Sequence, residues 1–349
     1  MRIPGKYLIL LMWLGITTAQ ADEDWRIGVL YWSDTIPGQQ IMRQGLEDAA
    51  LRINEQARDS GQRGIQLQTW IAGDGTAGVE RQISQMQALV ASRPDAIIVQ
   101  PADNAALAGP LREANRAGIP VVAYDQYISG GELASFITSD NYQAGVQGGE
   151  YIASLFAPGQ VLRLVLVEYP LISATVERLN GFLDGLQAAG TRYRILKSYQ
   201  AVHHEEGLQA GRDILRDFPD KHSIDVIFTV NNGGGLSVVE VLAGAGRDEI
   251  AVATVDGDVE SVANLSNRRL TRIDNAQFCA VLGATALQTT YRLLQQEPVA
   301  HHILIPVFPV TLETLDRYPG WHSPLLPASF NKPWPTLSPL WDNRLKEHP

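Results

Sequence analysis

Two stretches decide the fold of this chain: Asp95-Ala-Ile-Ile-Val-Gln-Pro-Ala-Asp103 and Ala117-Gly-Ile-Pro-Val-Val-Ala-Tyr-Asp125. Each holds a short, continuously apolar run that ends in polar residues. A strand that is apolar along its whole length is covered on both faces, as in a parallel sheet. Between the two runs, residues 104–117 have helical spacing, with Asn104 placed as an N-cap and Gly118 where a helix C-terminal glycine belongs. Strand, helix, strand in this order is a βαβ unit.

The same alternation extends in both directions. Apolar or β-branched runs at 26–32, 65–71, 96–100, 121–124, 135–138, 161–167, 194–199, 226–230, 251–255 and 270–273 are expected strands. Amphipathic segments at 39–58, 79–92, 104–117, 144–156, 175–189, 205–217 and 277–295 are expected helices; Ile83, Met86, Leu89 and Val90 show the three- and four-residue steps. The expected architecture is α/β, with two doubly wound parallel-sheet lobes joined by several crossovers. Residues 22–139 form the first lobe, completed by 278–300, and residues 140–277 form the second, completed by 301–313. The seam falls near Ser139-Asp140-Asn141. Residues 314–349 carry seven prolines and Trp321, Trp334 and Trp341. Proline excludes regular helix and sheet interiors, and tryptophan needs cover, so this tail is expected to be an irregular strap packed on a lobe.

The 349 residues are 45% hydrophobic and 19% charged, a globular composition long enough for two cores. The net charge of -10 repels phosphate backbones and anionic lipid, so no nucleic-acid or membrane-surface role is expected. One cysteine, Cys279, permits neither an internal disulfide nor a cysteine metal cluster, and it is expected to be a buried thiol. Arg2 and Lys6, the apolar stretch that follows and Ala19-Gln20-Ala21 make residues 1–21 an expected cleaved export signal, which puts the mature chain in the periplasm.

In open α/β sheets ligands bind beyond the carboxyl ends of the strands. The residues there are mostly carboxylates, amides and a few aromatics. Trp32, Asp34, Asp125, Gln126, His203, Asn231, Asp256 and Gln277 are the expected ligand-binding set, suited to the hydroxyls of a small polar molecule. No cofactor or metal is expected. Gly73-Asp-Gly75-Thr-Ala-Gly78 imitates a dinucleotide motif but follows the second strand and has no matching acidic residue, while Gly233-Gly234-Gly235 is followed by no Lys-Ser/Thr. Neighbouring residues on a strand point to opposite faces, so His203-His204 and His301-His302 are poor chelates. The sequence holds no nucleophile elbow and no zinc-protease motif, so an enzyme is not expected. A carboxylate-dependent glycosidase using Asp34, Asp125 or Asp256 is the catalytic alternative.

Taken in order, these stretches resemble the type I periplasmic substrate-binding proteins of the ribose and galactose class, over roughly residues 26–310. Further matching segments are Glu177-Arg-Leu-Asn-Gly-Phe182, Phe218-Pro-Asp220, Val226-Ile-Phe-Thr-Val-Asn-Asn232 and Val252-Ala-Thr-Val-Asp-Gly257. The resemblance implies that Asp125, Asn231, Asp256 and Gln277 face a sugar in the cleft. It also implies a monomer that closes by a hinge and delivers its ligand to an ABC importer. A sensor kinase or chemoreceptor is the alternative membrane partner, with the tail helping to dock it. Three departures argue against carrying over a particular sugar. Pro37-Gly38-Gln39 stands where the family has aromatics, Gln126 where an arginine commonly follows the aspartate, and Val176 where a second arginine is expected. Trp32, Tyr31, Tyr127 or Tyr169 are the replacement apolar platforms.

Overall fold

The computed structural model describes residues 23–326 and 328–349; the expected export signal at 1–21 lies outside the described residues. The first lobe opens with β1 (Trp25–Tyr31), α1 (Pro37–Ser60), β2 (Ile65–Ile71), α2 (Gly75–Ser92), β3 (Ala96–Val99), α3 (Ala108–Arg116), β4 (Val121–Tyr124) and β5 (Ser135–Ser139). The second runs through α4 (Asn141–Ser154), β6 (Val161–Glu168), α5 (Ser173–Ala188), β7 (Arg192–Gln200), α6 (His204–Asp217), β8 (Val226–Thr229), α7 (Asn232–Gly244), β9 (Ala251–Asp256), α8 (Val259–Ser266) and β10 (Thr271–Ala276). The chain then returns through α9 (Cys279–Leu294), β11 (His302–Ile305) and β12 (Phe308–Val310), and the tail adds β13 (Phe330–Asn331), β14 (Leu340–Trp341) and β15 (Lys346–His348).

Every residue of β3, β4 and β8 is buried, as continuously apolar runs require in the middle of a covered sheet. The first sheet has the order β15-β11-β5-β4-β3-β1-β2 and is parallel except for β15, which runs antiparallel to β11. The second has the order β12-β10-β9-β8-β6-β7 and is parallel except for β12. Helix α3 starts later than its sequence reading. Asp103 Oδ1 accepts from the amides of Ala105 and Ala106 in a turn, and Asn104 turns its side chain to the other lobe, where Oδ1 accepts from Ser173 N at 3.1 Å.

The chain crosses between lobes at Asp140, at Gln277-Phe278 and at Pro306-Val307. Helix α9 closes the first lobe by packing along α1. The approach is tight enough that a Cβ on Gly283 would lie 1.8 Å from the Met42 carbonyl oxygen. Cys279, the first residue of α9, is a fully buried thiol in that core.

Two readings of the C-terminal region need correction. The segment 301–313 does not belong to the second lobe as a whole. His302–Ile305 pairs with β5 in the first sheet, and Phe308–Val310 alone adds an antiparallel edge to the second. Nor does the tail pack on one lobe. Trp334 sits in the second lobe's core with its ring 5.0 Å from Tyr151, and Lys332 forms a buried ion pair with Glu150 of α4 at 3.0 Å. Trp321 and Trp341 instead join the first lobe's core; their indole N–H groups donate to the carbonyls of Asp256 and Val307, on the chain segments around the crossovers. Lys346 then reaches Asp140 at the first crossover, and β15 covers the β11 edge. The strap therefore ties both lobes and the hinge together.

Candidate functional site

A cavity of about 40 Å³ lies between the lobes, lined by residues from the carboxyl ends of strands in both sheets. Trp32 follows β1, Asp125 and Gln126 follow β4, Asn231 caps α7 after β8, Asp256 ends β9, and Gln277 follows β10. These six of the eight expected ligand-binding residues line it together. The other two do not. Asp34 is exposed on the loop before α1, beyond the cavity wall. His203 is the N-cap residue of α6, lines a neighbouring cavity and meets Trp32 edge-on at 5.9 Å between ring centroids. Both are near the cleft in sequence order, but the turns after their strands carry them past its floor.

The lobes are closed on each other. Trp32, Ile36 and Ala102 of the first pack against Ile172, Ala174 and Val202 of the second. Polar bonds follow the same seam: Ser173 N donates to Asn104, Ala174 N to Gln126 Oε1 at 3.4 Å, and Tyr127 N to Ser173 Oγ at 3.2 Å. All three converge on the first turn of α5. That turn is one contact point of the second lobe with the first.

Two carboxylates occupy the cavity floor, and their backbones are strained in the same sense. Asp125 has φ 65° and Asp256 φ 132°, in the left-handed half of conformational space that non-glycine residues avoid. Such strain persists where surrounding structure imposes it, and it concentrates at ligand clamps. Asp256 is the more heavily held. Its Oδ1 accepts from Arg178 Nη1 at 3.0 Å and from Gln277 Nε2 at 2.8 Å, while Oδ2 accepts from Asn232 N at 3.0 Å. Arg178 in turn donates to the Val230 carbonyl and, through Nε, to Asn141 Oδ1. Gln277 joins the lobes across the hinge, because its Oε1 accepts from Ser139 Oγ at 2.8 Å. Asp125 Oδ2 accepts from Gln100 Nε2 at 2.9 Å. Burial pushes both carboxyls above their ordinary pKa; for Asp256 the Arg178 charge opposes the shift most strongly.

Arg178 is the main functional residue missing from the sequence-derived set. Val176 is absent from the cavity lining; the guanidinium there belongs to Arg178, two residues further along α5, buried and paired with Asp256. Its signal was present in the motif Glu177-Arg-Leu-Asn-Gly-Phe182, but a charged residue in an amphipathic helix reads as surface. Gln39, Met42 and Thr175 also line the cavity. Of the aromatic platforms considered, Trp32 lines it. Tyr31 is buried in the first lobe's core, Tyr127 borders a different cavity, and Tyr169 does not reach the cavity.

Among the described residues, no group of three or more His, Cys, Asp or Glu is arranged to hold a metal, and no helix is long and apolar enough to cross a membrane.

Comparison with known proteins places this geometry in context. The ribose import binding protein of Bacillus subtilis is 26% identical over 251 residues, covering 72% of this chain and 78% of its own. A Bacillus halodurans ABC transporter solute-binding protein with bound myo-inositol superposes with a TM-score of 0.73 at 20% identity, covering 85% of this chain and 97% of that one. The fructose-binding periplasmic domain of a hybrid two-component system superposes with a TM-score of 0.72 at 20% identity, covering 84% and 92%. A periplasmic binding protein domain matches residues 27–298, the span that holds the cavity residues and the first two crossovers. With two parallel sheets, three crossovers and a strand-end cavity between them, the chain belongs to the periplasmic binding protein family.

Proposed function

We propose that this protein is an exported solute-binding protein that captures a small polyhydroxylated molecule, a sugar or cyclitol, between its lobes and delivers it to an ABC importer. One observation carries the reading: the interlobe cavity gathers two buried carboxylates, a guanidinium and three side-chain amides at strand ends. Such groups accept and donate hydrogen bonds to hydroxyls with fixed geometry. Related proteins named for ribose import and a fold neighbour bound to myo-inositol support the ligand class. The mechanism is a population shift: ligand contacts made by both lobes at once are complete in the closed state alone, so binding favours closure. The closed surface then docks the membrane partner. The protein performs no chemistry on the ligand in this reading.

The export signal expected at residues 1–21 supports placement in the periplasm, and the monomer stays part of the proposal. A second reading, in which the closed form reports to a sensor kinase, is favoured by the fold neighbour from a hybrid two-component system.

Isothermal titration against pentoses, hexoses and cyclitols tests the proposal. Saturable 1:1 binding of at least one, lost in Asp256→Ala, is expected. Binding that survives Asp256→Ala would place the ligand elsewhere.

A further inference from the structure

The charges lining the cavity do not balance. Asp125, Asp256 and Arg178 are its charged residues, two carboxylates to one guanidinium. Arg178 is committed: it pairs with Asp256 and donates to Val230 and Asn141. Asp125 is 4% exposed and makes no ion pair among the described residues; its side chain is met by the neutral Gln100 amide at Oδ2. A buried carboxylate that no cation contacts is unfavourable; burial raises the Asp125 pKa, opposed by the Gln100 hydrogen bond and the more distant Arg178 charge. The residue that follows it, Gln126, is neutral and bonded across the seam to Ala174 N.

A neighbouring cavity has the same sign. A second cavity of about 400 Å³ shares Ile36 with the first and lies beyond the Trp32–His203 contact. Glu240, Asp258 and Glu260 line it with His203 and His204, and no lysine or arginine does. A cleft with focused negative charge raises the local concentration of cations.

We propose that the ligand carries a protonated amine besides its hydroxyls, as an amino sugar or amino polyol does, and that Asp125 receives the ammonium. This rests on the solute-binding reading above and specifies its ligand. The ammonium would complete the second ion pair of the cavity with a charge-assisted hydrogen bond, leaving Asp256, Asn231 and Gln277 for the hydroxyls. Discrimination follows from the same feature, because a neutral analogue leaves Asp125 buried without its counter-charge.

Matched probes test the assignment: glucosamine against glucose, galactosamine against galactose, and serinol against glycerol, titrated at pH 7 into the wild type, Asp125→Asn and Gln126→Arg. The amine of at least one pair should bind tenfold or more tightly than its hydroxyl partner. Asp125→Asn should abolish that preference, and Gln126→Arg, which supplies the missing cation, should reverse it toward the neutral member. Neutral probes that bind wild type as tightly as the amines would overturn the amine assignment and leave the solute-binding reading standing. Amine preference unchanged in both variants would also overturn it. Absence of binding by every probe, together with silence in the sugar and cyclitol titration, would count against both.

Discussion

Arg178 Nη1 and Asp256 Oδ1 lie 3.0 Å apart, with side chains only 4% and 11% exposed, and the pair joins α5 to the end of β9 beneath the ligand cavity. Its members come from one lobe, so it is formed before closure and presents a fixed surface to whatever enters.

Removing one partner of such a pair leaves the other charge buried alone. Arg178→Ala should therefore lower stability by about 3–5 kcal/mol. Urea denaturation with the second lobe's tryptophan, Trp334, as reporter checks this, and a loss below about 1 kcal/mol would show the pair to be solvated.

Asp274 gives a pH signature. It is fully buried on β10, accepts from Gly257 N at 2.9 Å, and burial with the Asp256 charge nearby pushes its pKa up to about 7. The folded state holds this proton more tightly than the unfolded chain, whose value is near 3.8. Its contribution to stability is thus complete below about pH 4 and is lost as pH rises through 7. Asp274→Asn keeps an acceptor for Gly257 and removes the titration. The difference in unfolding free energy between variant and wild type should grow in the variant's favour from pH 5 to pH 8. A flat difference would assign Asp274 an ordinary pKa.

The strap should be structural. Trp341 is 1% exposed, packs against Phe308 and Phe330, and donates to Val307 at 2.6 Å. Trp341→Ala should cost about 3–5 kcal/mol, the usual range for a buried aromatic. Truncation after Tyr318 strips the cores of three tryptophans and should lower the melting temperature of the whole chain. Calorimetry of the shortened chain decides, and an unchanged melting temperature would show the strap to be dispensable.

The alternation of apolar runs and helical segments made the parallel strands legible, because each strand's cover on both faces leaves a local trace in the sequence. The strand-end positions of Asp125, Asn231, Asp256 and Gln277 followed from the same pattern. What stayed hidden depended on long-range pairing. Nothing local in His302–Ile305 says which lobe it joins, since β5, its partner, lies more than 160 residues earlier. Arg178 looked like a solvated helix residue because its partners, Asp256 and Val230, lie at the ends of strands far along the chain. Lys332 was indistinguishable from an exposed tail lysine until Glu150 appeared beside it.

Closure around a ligand held by both lobes is the central claim, and small-angle scattering of the protein with and without a bound ligand from the titrations tests it most directly. The radius of gyration should fall on saturation in the wild type and stay at its ligand-free value in Asp256→Ala. A ligand that saturates the wild type without changing the radius of gyration would contradict hinge closure as the response to binding.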